Sequence, residues 1–394
     1  MTSVFYHIPS SCWYHNDSND LCILGKNKLP INRISSPNSK KDYLTFSVKK
    51  NGNHLGPIVG ILAGEERQPF SGNYETFKRI SHYIMKSGGI PIIVTPSSFV
   101  YKCVNAHYYC SNQKKWIQIQ CPFPDLIYNR IPSPLLEKLS SYKKTIRLIK
   151  SLNIPFFNEG FCSKKEFVEL LSNNRSLSRY LPPTVTISSK EELLYYLVSW
   201  KSIYVKHHEA SQGKGVFCFN LLTENQIEIH SSKGQSQICS LEKAWNLLRP
   251  MLHNTVIQKN IQSTLNNGQK YDLRVLVHKK KEKYIVSGIG VRVANLNAIT
   301  THVPRGGSIM PVTKLSPPVN QNVINKLANE IGKTLTNNFG PYYEFSMDIG
   351  RDKHNDYYIF EANSKPMVFD EEEIKLRGLE NLVSLFYELT NFEP

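Results

Sequence analysis

The chain has 394 residues, too many for one ordinary compact unit, so two or three are expected. Hydrophobic residues make up 40%, which supports sizeable cores and lies outside the composition of a disordered chain. Forty-eight Lys and Arg stand against 32 Asp and Glu, a net charge of +16 that favours polyanionic partners without choosing among nucleotide phosphates, nucleic acid, an anionic polymer and an acidic peptide.

The start, "MTSVFYHIPSSCWYHNDSND", has no basic segment followed by an apolar one, so no secretory signal is expected. No run of about 18 apolar residues occurs, so no membrane span is expected. The eight cysteines form no CxxC pair and have no histidine cluster at zinc spacing, which reads as reduced, partly buried thiols of an intracellular, cytoplasmic protein. Residues 1–53 read as a small β-rich segment. "PIVGILAG" (57–64) is a buried strand, and Asn73 to Ser87 sets Tyr74, Phe77, Ile80 and Ile84 at helical spacing. "IPIIVTP" is the next strand, so the unit predicts a right-handed parallel crossover. "KWIQIQ" and "PDLIYNRIP" add strands, completing an α/β domain over 54–150. Residues 151–394 form the rest. They hold a helix at "SKKEFVELLS", two strands flanking "HHEASQGKG", a strand in "NTVIQKNIQ" and a hairpin over 271–294. A helix at about 320–338, a second hairpin over 342–366 and a terminal helix at about 378–390 follow.

The second hairpin carries the sharpest expectation. A symmetrical hairpin turning near "DKHND" pairs position 348 with position 361, placing Asp348 and Glu361 about 5 Å apart at Cβ. Asn363, two residues on, shares their face. Two carboxylates and an amide oxygen make an oxygen-ligand site for Mg²⁺, and a cation is needed to offset the repulsion between the acids. Ordinary surface acids are the plain alternative. "YVKHHEASQGKGVFCF" is not a Walker A loop, because glycine follows Gly213-Lys214, and the Rossmann spacing also fails. A turn through Ser211, Gln212, Gly213, Lys214 and Gly215 can still bring backbone N–H groups to phosphate, with Lys206 adding a point charge. A plain turn is the competing reading. In "QKYDLRVLV", Lys270, Asp272 and Arg274 share one strand face, while Tyr271, Leu273 and Val275 share the other. Arg292, on the returning strand, can join the charged face. Ligand contact and structural ion pairing both account for it.

The order of these elements resembles the ATP-grasp superfamily from about Lys164 to Pro366. "YDLRVLV", "RVA", "DIG" and "EANSKP" are also similar to the tubulin-tyrosine-ligase type. The whole chain resembles the YheC/YheD family associated with the endospore coat, through "GPIVGIL", "PDLIYNRIP", "SKKEFVELLSNNRSLSRYLPPT", "YDLRVLV" and "EANSKP". The resemblance implies a pre-ATP-grasp α/β domain, followed by two α+β subdomains that clamp ATP with Mg²⁺, the lid covering about 184–257. It implies that Lys164 and Lys206 reach the nucleotide, and that Gln258, Lys259 and Ile261 line the adenine. Asp272 then lies near the ribose, and Lys270, Arg274 and Arg292 contact phosphate or substrate. Asp348, Glu361 and Asn363 match the metal ligands. Lys206-His207 replaces a frequent Lys-Pro, and Ala362 replaces a larger aliphatic residue. The activity implied is an ATP-dependent ligase that activates an unknown carboxylate, in a spore-coat or envelope setting with coat proteins as partners. A coat scaffold that binds nucleotide without turnover is the alternative. Nucleic acid is disfavoured, since no helix-turn-helix, zinc-finger or RRM signature occurs. His207, His208 and Gly306-Gly307 receive no role.

Overall fold

The computed structural model describes residues 2–39, 41–207, 215–232, 234–265, 267–295, 298–301, 303 and 306–392. Six short strands open the chain: β1 (Thr2–His7), β2 (Cys12–His15), β3 (Cys22–Leu24), β4 (Leu29–Arg33), β5 (Tyr43–Asn51) and β6 (His54–Gly56). They close into a barrel in the order β1-β2-β4-β3-β6-β5. Alternation in β5 turns Leu44, Phe46 and Val48 inward. The boundary expected after residue 53 cuts this barrel, because β6 pairs with both β3 and β5.

The next unit begins with β7 (Ile58–Leu62), α1 (Tyr74–Lys86) and β8 (Ile90–Val94). β7 and β8 are parallel neighbours, as the crossover requires. Asn73 caps α1 by accepting from the Thr76 N–H, and Phe77, Ile80 and Ile84 form its buried stripe. β9 (Phe99–Val100), β10 (Cys103–Cys110), β11 (Lys115–Cys121), β12 (Leu126–Asn129), α2 (Pro134–Glu137), α3 (Ser140–Ser151) and β13 (Phe156–Phe157) follow. The sheet runs β11-β10-β8-β7-β12-β13, with β9 paired to β10. Its central strands are apolar on both faces because both are covered. Ile58, Leu62 and Ile92 join the core shared with the barrel and α3. Val59, Ile61 and Ile93 pack on the opposite side, with α1 and the end of the chain.

Two further sheets make the clamp. After α4 (Lys164–Ser172) come β14 (Thr184–Val185), α5 (Lys190–Trp200), β15 (Ser202–His207), β16 (Val216–Thr223), β17 (Gln226–Ser231), β18 (Ser236–Ser240), α6 (Leu241–Leu248) and β19 (Thr255–Lys259). The lid sheet runs β14-β19-β15-β16-β17-β18. The core comprises β20 (Tyr271–Lys280), β21 (Lys283–Val293), β22 (Ser308–Met310), α7 (Gln321–Phe339), β23 (Glu344–Arg351), β24 (Tyr357–Asn363) and α8 (Glu372–Thr390). Its sheet runs β22-β21-β20-β23-β24.

α7 lays Ile324, Leu327, Ile331 and Leu335 on Leu273, Val275, Val277, Phe345, Met347 and Ile349. Each such fully buried aliphatic contributes about 1.5–3 kcal/mol. α8 covers the other face of the core sheet. It starts at Glu372, six residues before the expected 378, and Gly378 lets it approach Leu276, whose Cδ2 lies 2.7 Å from where a Cβ would stand. Its outer half, through Leu382 and Phe386, packs with Ile80, Tyr128 and Phe157 of the α/β unit. All eight cysteines are free thiols. Among the described residues, no helix is long and apolar enough to cross a membrane.

Candidate functional site

A cleft enclosing about 860 Å³ lies between the lid sheet and the core sheet. Lys164, Lys206, Gln258, Lys259, Ile261, Lys270, Asp272, Arg292, Asp348 and Glu361 all line it. Ten expected site residues, spread over almost 200 positions, thus reach one space. Arg274 and Asn363 stand next to it rather than on its wall. Gly215 has a φ of +63° at the start of the returning lid strand, a conformation that suits glycine. Ser211, Gln212, Gly213, Lys214 and His208 lie outside the described residues.

The core side is built on cross-strand pairs. Asp348 on β23 faces Glu361 on β24 and Arg274 on β20. The expected 348–361 pairing is present, but by a different route. Between the turn and Ile349 the hairpin pairs one residue earlier, and a bulge shifts the register between Asp348 and Ile349. Phe360 is the extra residue. The bulge puts Phe360 and Glu361 on the cleft together, and the Phe360 ring comes within 2.2 Å of where a Gly350 Cβ would stand. Alternation alone could not reveal Phe360, because alternation fails at a bulge. The aromatic residue beside Glu361 was the only hint in the sequence.

The acids have a protein cation already. Arg292 donates through Nε to Asp272 Oδ1 and through Nη2 to Asp272 Oδ2, both at 2.8 Å. The same Nη2 lies 2.8 Å from Asp348 Oδ2. Thr301 donates to Asp272 Oδ2 at 2.5 Å. Burial works against the Arg292 charge, but Asp348 and Asp272 outweigh it and hold the guanidinium protonated well above its ordinary range. Two expectations change. The repulsion at Asp348 is relieved in part by Arg292, so a metal is not the sole cation available. Asp272, expected near the ribose, points its carboxylate at Arg292 and Thr301. Structural ion pairing, one of the two accounts of this charged face, is present in the structure.

The donor set nonetheless fits a hard divalent cation. Asp348 is 5% exposed, and its Oδ1 is buried without a hydrogen-bond partner among the described residues. Glu361 stands opposite, with its Oε1 accepting from Asn363 Nδ2 at 3.0 Å. Oxygen donors of this kind suit Mg²⁺. Among the described residues, no cluster of three or more His, Cys, Asp and Glu could hold a metal. A metal here would therefore use two carboxylates, an amide and oxygens brought by the ligand.

On the lid side, Lys206 donates to Gln258 Oε1 at 2.5 Å. Gln258 Nε2 in turn donates to Thr184 at 3.0 Å, fixing the amide. The Lys206 ammonium lies 5.7 Å from the Tyr204 ring centre and 5.5 Å from that of Phe360. Burial, with Lys164 nearby, pushes Lys206 down to about 8, while Glu361 and Asp348 pull the other way. Lys270 donates to Tyr204 Oη at 3.2 Å, and Tyr204 Oη donates to the Ile299 carbonyl at 3.0 Å. Ile299, Thr300 and Thr301 were not expected from sequence, since their segment has neither periodicity nor a motif, and Tyr204, on the strand of Lys206, carries no spacing signal of its own.

Three comparisons bear on this geometry. The sequence profile described as YheC/D like ATP-grasp matches residues 153–390. The chain is similar to endospore coat-associated protein YheD of Bacillus subtilis, 25% identical over 334 residues that cover 79% of this chain and 73% of that protein. It is also similar to endospore coat-associated protein YheC of the same organism, at 22% identity over 67% of this chain and 76% of that protein. Among solved structures, the ATP-grasp ligase PsnB complexed with minimal precursor aligns with a TM-score of 0.50 at 12% identity, covering 85% of this chain and 99% of that one. That likeness is one of fold.

Proposed function

Since this chain belongs to the YheC/D-like ATP-grasp family, we propose that it binds Mg-ATP in the cleft between lid and core and uses it to activate a carboxylate. The observation that carries the reading is Asp348, with one buried oxygen unpartnered, facing Glu361 beneath Lys164, Lys206, Lys259 and Lys270. Among the described residues, five cations line the cleft against three carboxylates, so the site is short of negative charge until a polyphosphate enters. A second structure of PsnB was solved with Mg and ADP, which supports the same pair of ligands here.

In this reading Lys206, Lys270 and Arg292 hold phosphate oxygens, and Gln258, Lys259 and Ile261 line the base. Asp348, Glu361 and Asn363 would hold Mg²⁺, which when bound offsets the charge of the phosphates. Lys206 and Arg292 stabilise the γ-phosphoryl as it passes to a substrate carboxylate. An amine or another nucleophile then attacks the acyl-phosphate and releases phosphate. A cleft closed by lid and core would exclude water, which otherwise hydrolyses that species. The positive balance of the chain suits an acidic peptide or anionic polymer as the carboxylate source. The names of the two Bacillus relatives supply the coat setting, and they also favour a second reading, a coat protein that binds nucleotide without turning it over.

The test is ADP release from Mg-ATP with a panel of carboxylates, comparing the wild type with Glu361→Ala. A loss of about a hundredfold or more is expected for the variant. Equal release from both would sink the ligase, and tight ATP binding with no ADP from the wild type would favour the scaffold.

A further inference from the structure

A second cleft, enclosing about 550 Å³, opens beside the nucleotide cleft. Its apolar wall is Ile80 from α1, Leu276 from β20, Met367, Val368 and Phe369 from the segment after β24, and Leu379 from α8. Its charged members are chiefly basic, Arg79, Arg130 and Lys375, of which Arg79 and Lys375 each pair with Glu372 at 3.1 Å. The single acid among the described residues of the wall, Glu344, is engaged by the Tyr128 hydroxyl, by His278 Nε2 at 3.3 Å and by Arg130 at 3.6 Å. Met367 and Val368 leave 49% and 40% of their surface exposed at the mouth. Such an apolar surface with basic members suits an organic acid with an apolar body.

Arg274 connects the two clefts. It pairs across strands with Asp348 on one side. On the other, its Nη2 donates to the Met367 carbonyl at 3.0 Å, and its guanidinium sits 4.6 Å from the Phe369 ring centre. Its Nε is buried without a partner among the described residues. Across the strand from Arg274 is Gly290. Glu371 Oε1 lies over that glycine, 2.6 Å from where a Cβ would stand, and is also buried without a partner. A donor on β20 and an acceptor at the N-terminus of α8 thus stand unsatisfied among the described residues, between the metal-facing acid and the apolar wall. Buried groups of this kind call for a ligand that completes both.

Resting on the ligase reading above, we propose that this second cleft seats the carboxylate substrate, and that the substrate is an α-amino acid or peptide end with a branched or aromatic side chain. Its carboxylate lies at Arg274, within reach of the γ-phosphate. Its ammonium, where free, lies at Glu371, and its side chain fills the cleft of Ile80, Leu276 and Phe369. The acidic polymer suggested by net charge alone then needs an apolar residue at the reacting position.

The experiment is titration calorimetry on the full chain with Mg²⁺ and ADP present. The probes are DL-leucine, DL-phenylalanine, glycine, DL-glutamate, glycyl-DL-leucine and N-acetyl-DL-leucine. Leucine or phenylalanine should bind at least tenfold more tightly than glycine or glutamate. N-acetyl-leucine should bind at least tenfold more weakly than leucine if the free amino acid is the substrate, and glycyl-leucine should bind best if it is a peptide end. Val368→Asp, at an exposed position, should weaken leucine binding at least tenfold and leave Mg-ADP affinity unchanged. Glycine and glutamate binding as well as leucine, no binding of any probe, or no effect of Val368→Asp would each overturn the proposal. Leucine binding without Mg-ADP binding would instead sink the nucleotide reading and leave the cleft assignment standing.

Discussion

The two walls of the nucleotide cleft are built on different principles. On the core wall, Asp272, Arg292 and Asp348 are 7%, 6% and 5% exposed and bonded to one another on adjacent strands. On the lid wall, Lys206 is half-buried, its pKa is depressed, and it leans on Gln258 and two aromatic rings. The core wall carries its own counter-charges and exists before any ligand arrives. The lid wall holds a cation with a neutral amide and two rings as neighbours and only weak help from Glu361 and Asp348. Preorganisation is expensive in buried charge, and the protein places it on the core sheet, although both sheets are backed by hydrophobic layers, α7 behind the core and α5 with α6 behind the lid.

The largest effect expected from that contrast is on folding. Asp272→Ala leaves Arg292 buried with one acid in place of two, and should cost about 3–5 kcal/mol. Urea unfolding would show this as a lower midpoint at unchanged slope, and a loss under about 1 kcal/mol would erase the difference between the walls. Lys206→Met should leave the unfolding midpoint unchanged or slightly raised, since it removes a poorly solvated charge. It should weaken Mg-ATP binding by about 1.5–3 kcal/mol, roughly 10- to 150-fold by calorimetry.

The pH dependence sharpens the same point. Lys206 sits at about 8 in the free protein, below the ordinary lysine value of 10.5, and bound phosphates would raise it. Below pH 8 the ammonium is already charged, and affinity for nucleotide should be flat in pH. Above 8 the free site loses its proton and must regain it on binding, so affinity should fall with each further pH unit until the bound pKa is reached. Lys206→Met should abolish that slope, and a slope that survives would assign it elsewhere. The smallest effect is expected from Phe360→Leu, which removes one ring from beside the Lys206 ammonium. A loss of about 0.5–1 kcal/mol corresponds to roughly a two- to fivefold weaker Mg-ATP affinity.

Much of the site could be read from local patterns. The alternation in "YDLRVLV" separates Asp272 and Arg274 from Leu273 and Val275, and the structure sends the two sets to opposite faces. The 348–361 pairing was also legible, because a hairpin with a short turn brackets its own register. Phe360 was not, since a bulge adds a residue without a mark in composition. The pairing of Asp272 with Arg292 was legible only as one of two accounts of the charged face. The resemblance implies a place near a ribose for Asp272, but whether its oxygens meet a sugar or an arginine depends on a residue 20 positions away on another strand.

The chain alone determines whatever the backbone repeats impose. That covers strand and helix identity, the faces of β20, the parallel crossover of β7 and β8, and the order of charged residues that marks the family. Those features depend on neighbours a few residues apart, so period and turn chemistry suffice to reveal them. Tertiary structure decided the rest. It closed the barrel through β6, laid α8 across both the core sheet and the α/β unit, and assigned Arg292 to two acids at once. It also opened an apolar cleft from segments separated by some 290 residues. Each of these depends on which surfaces meet after the chain has crossed itself, and long-range packing leaves no periodic trace in sequence.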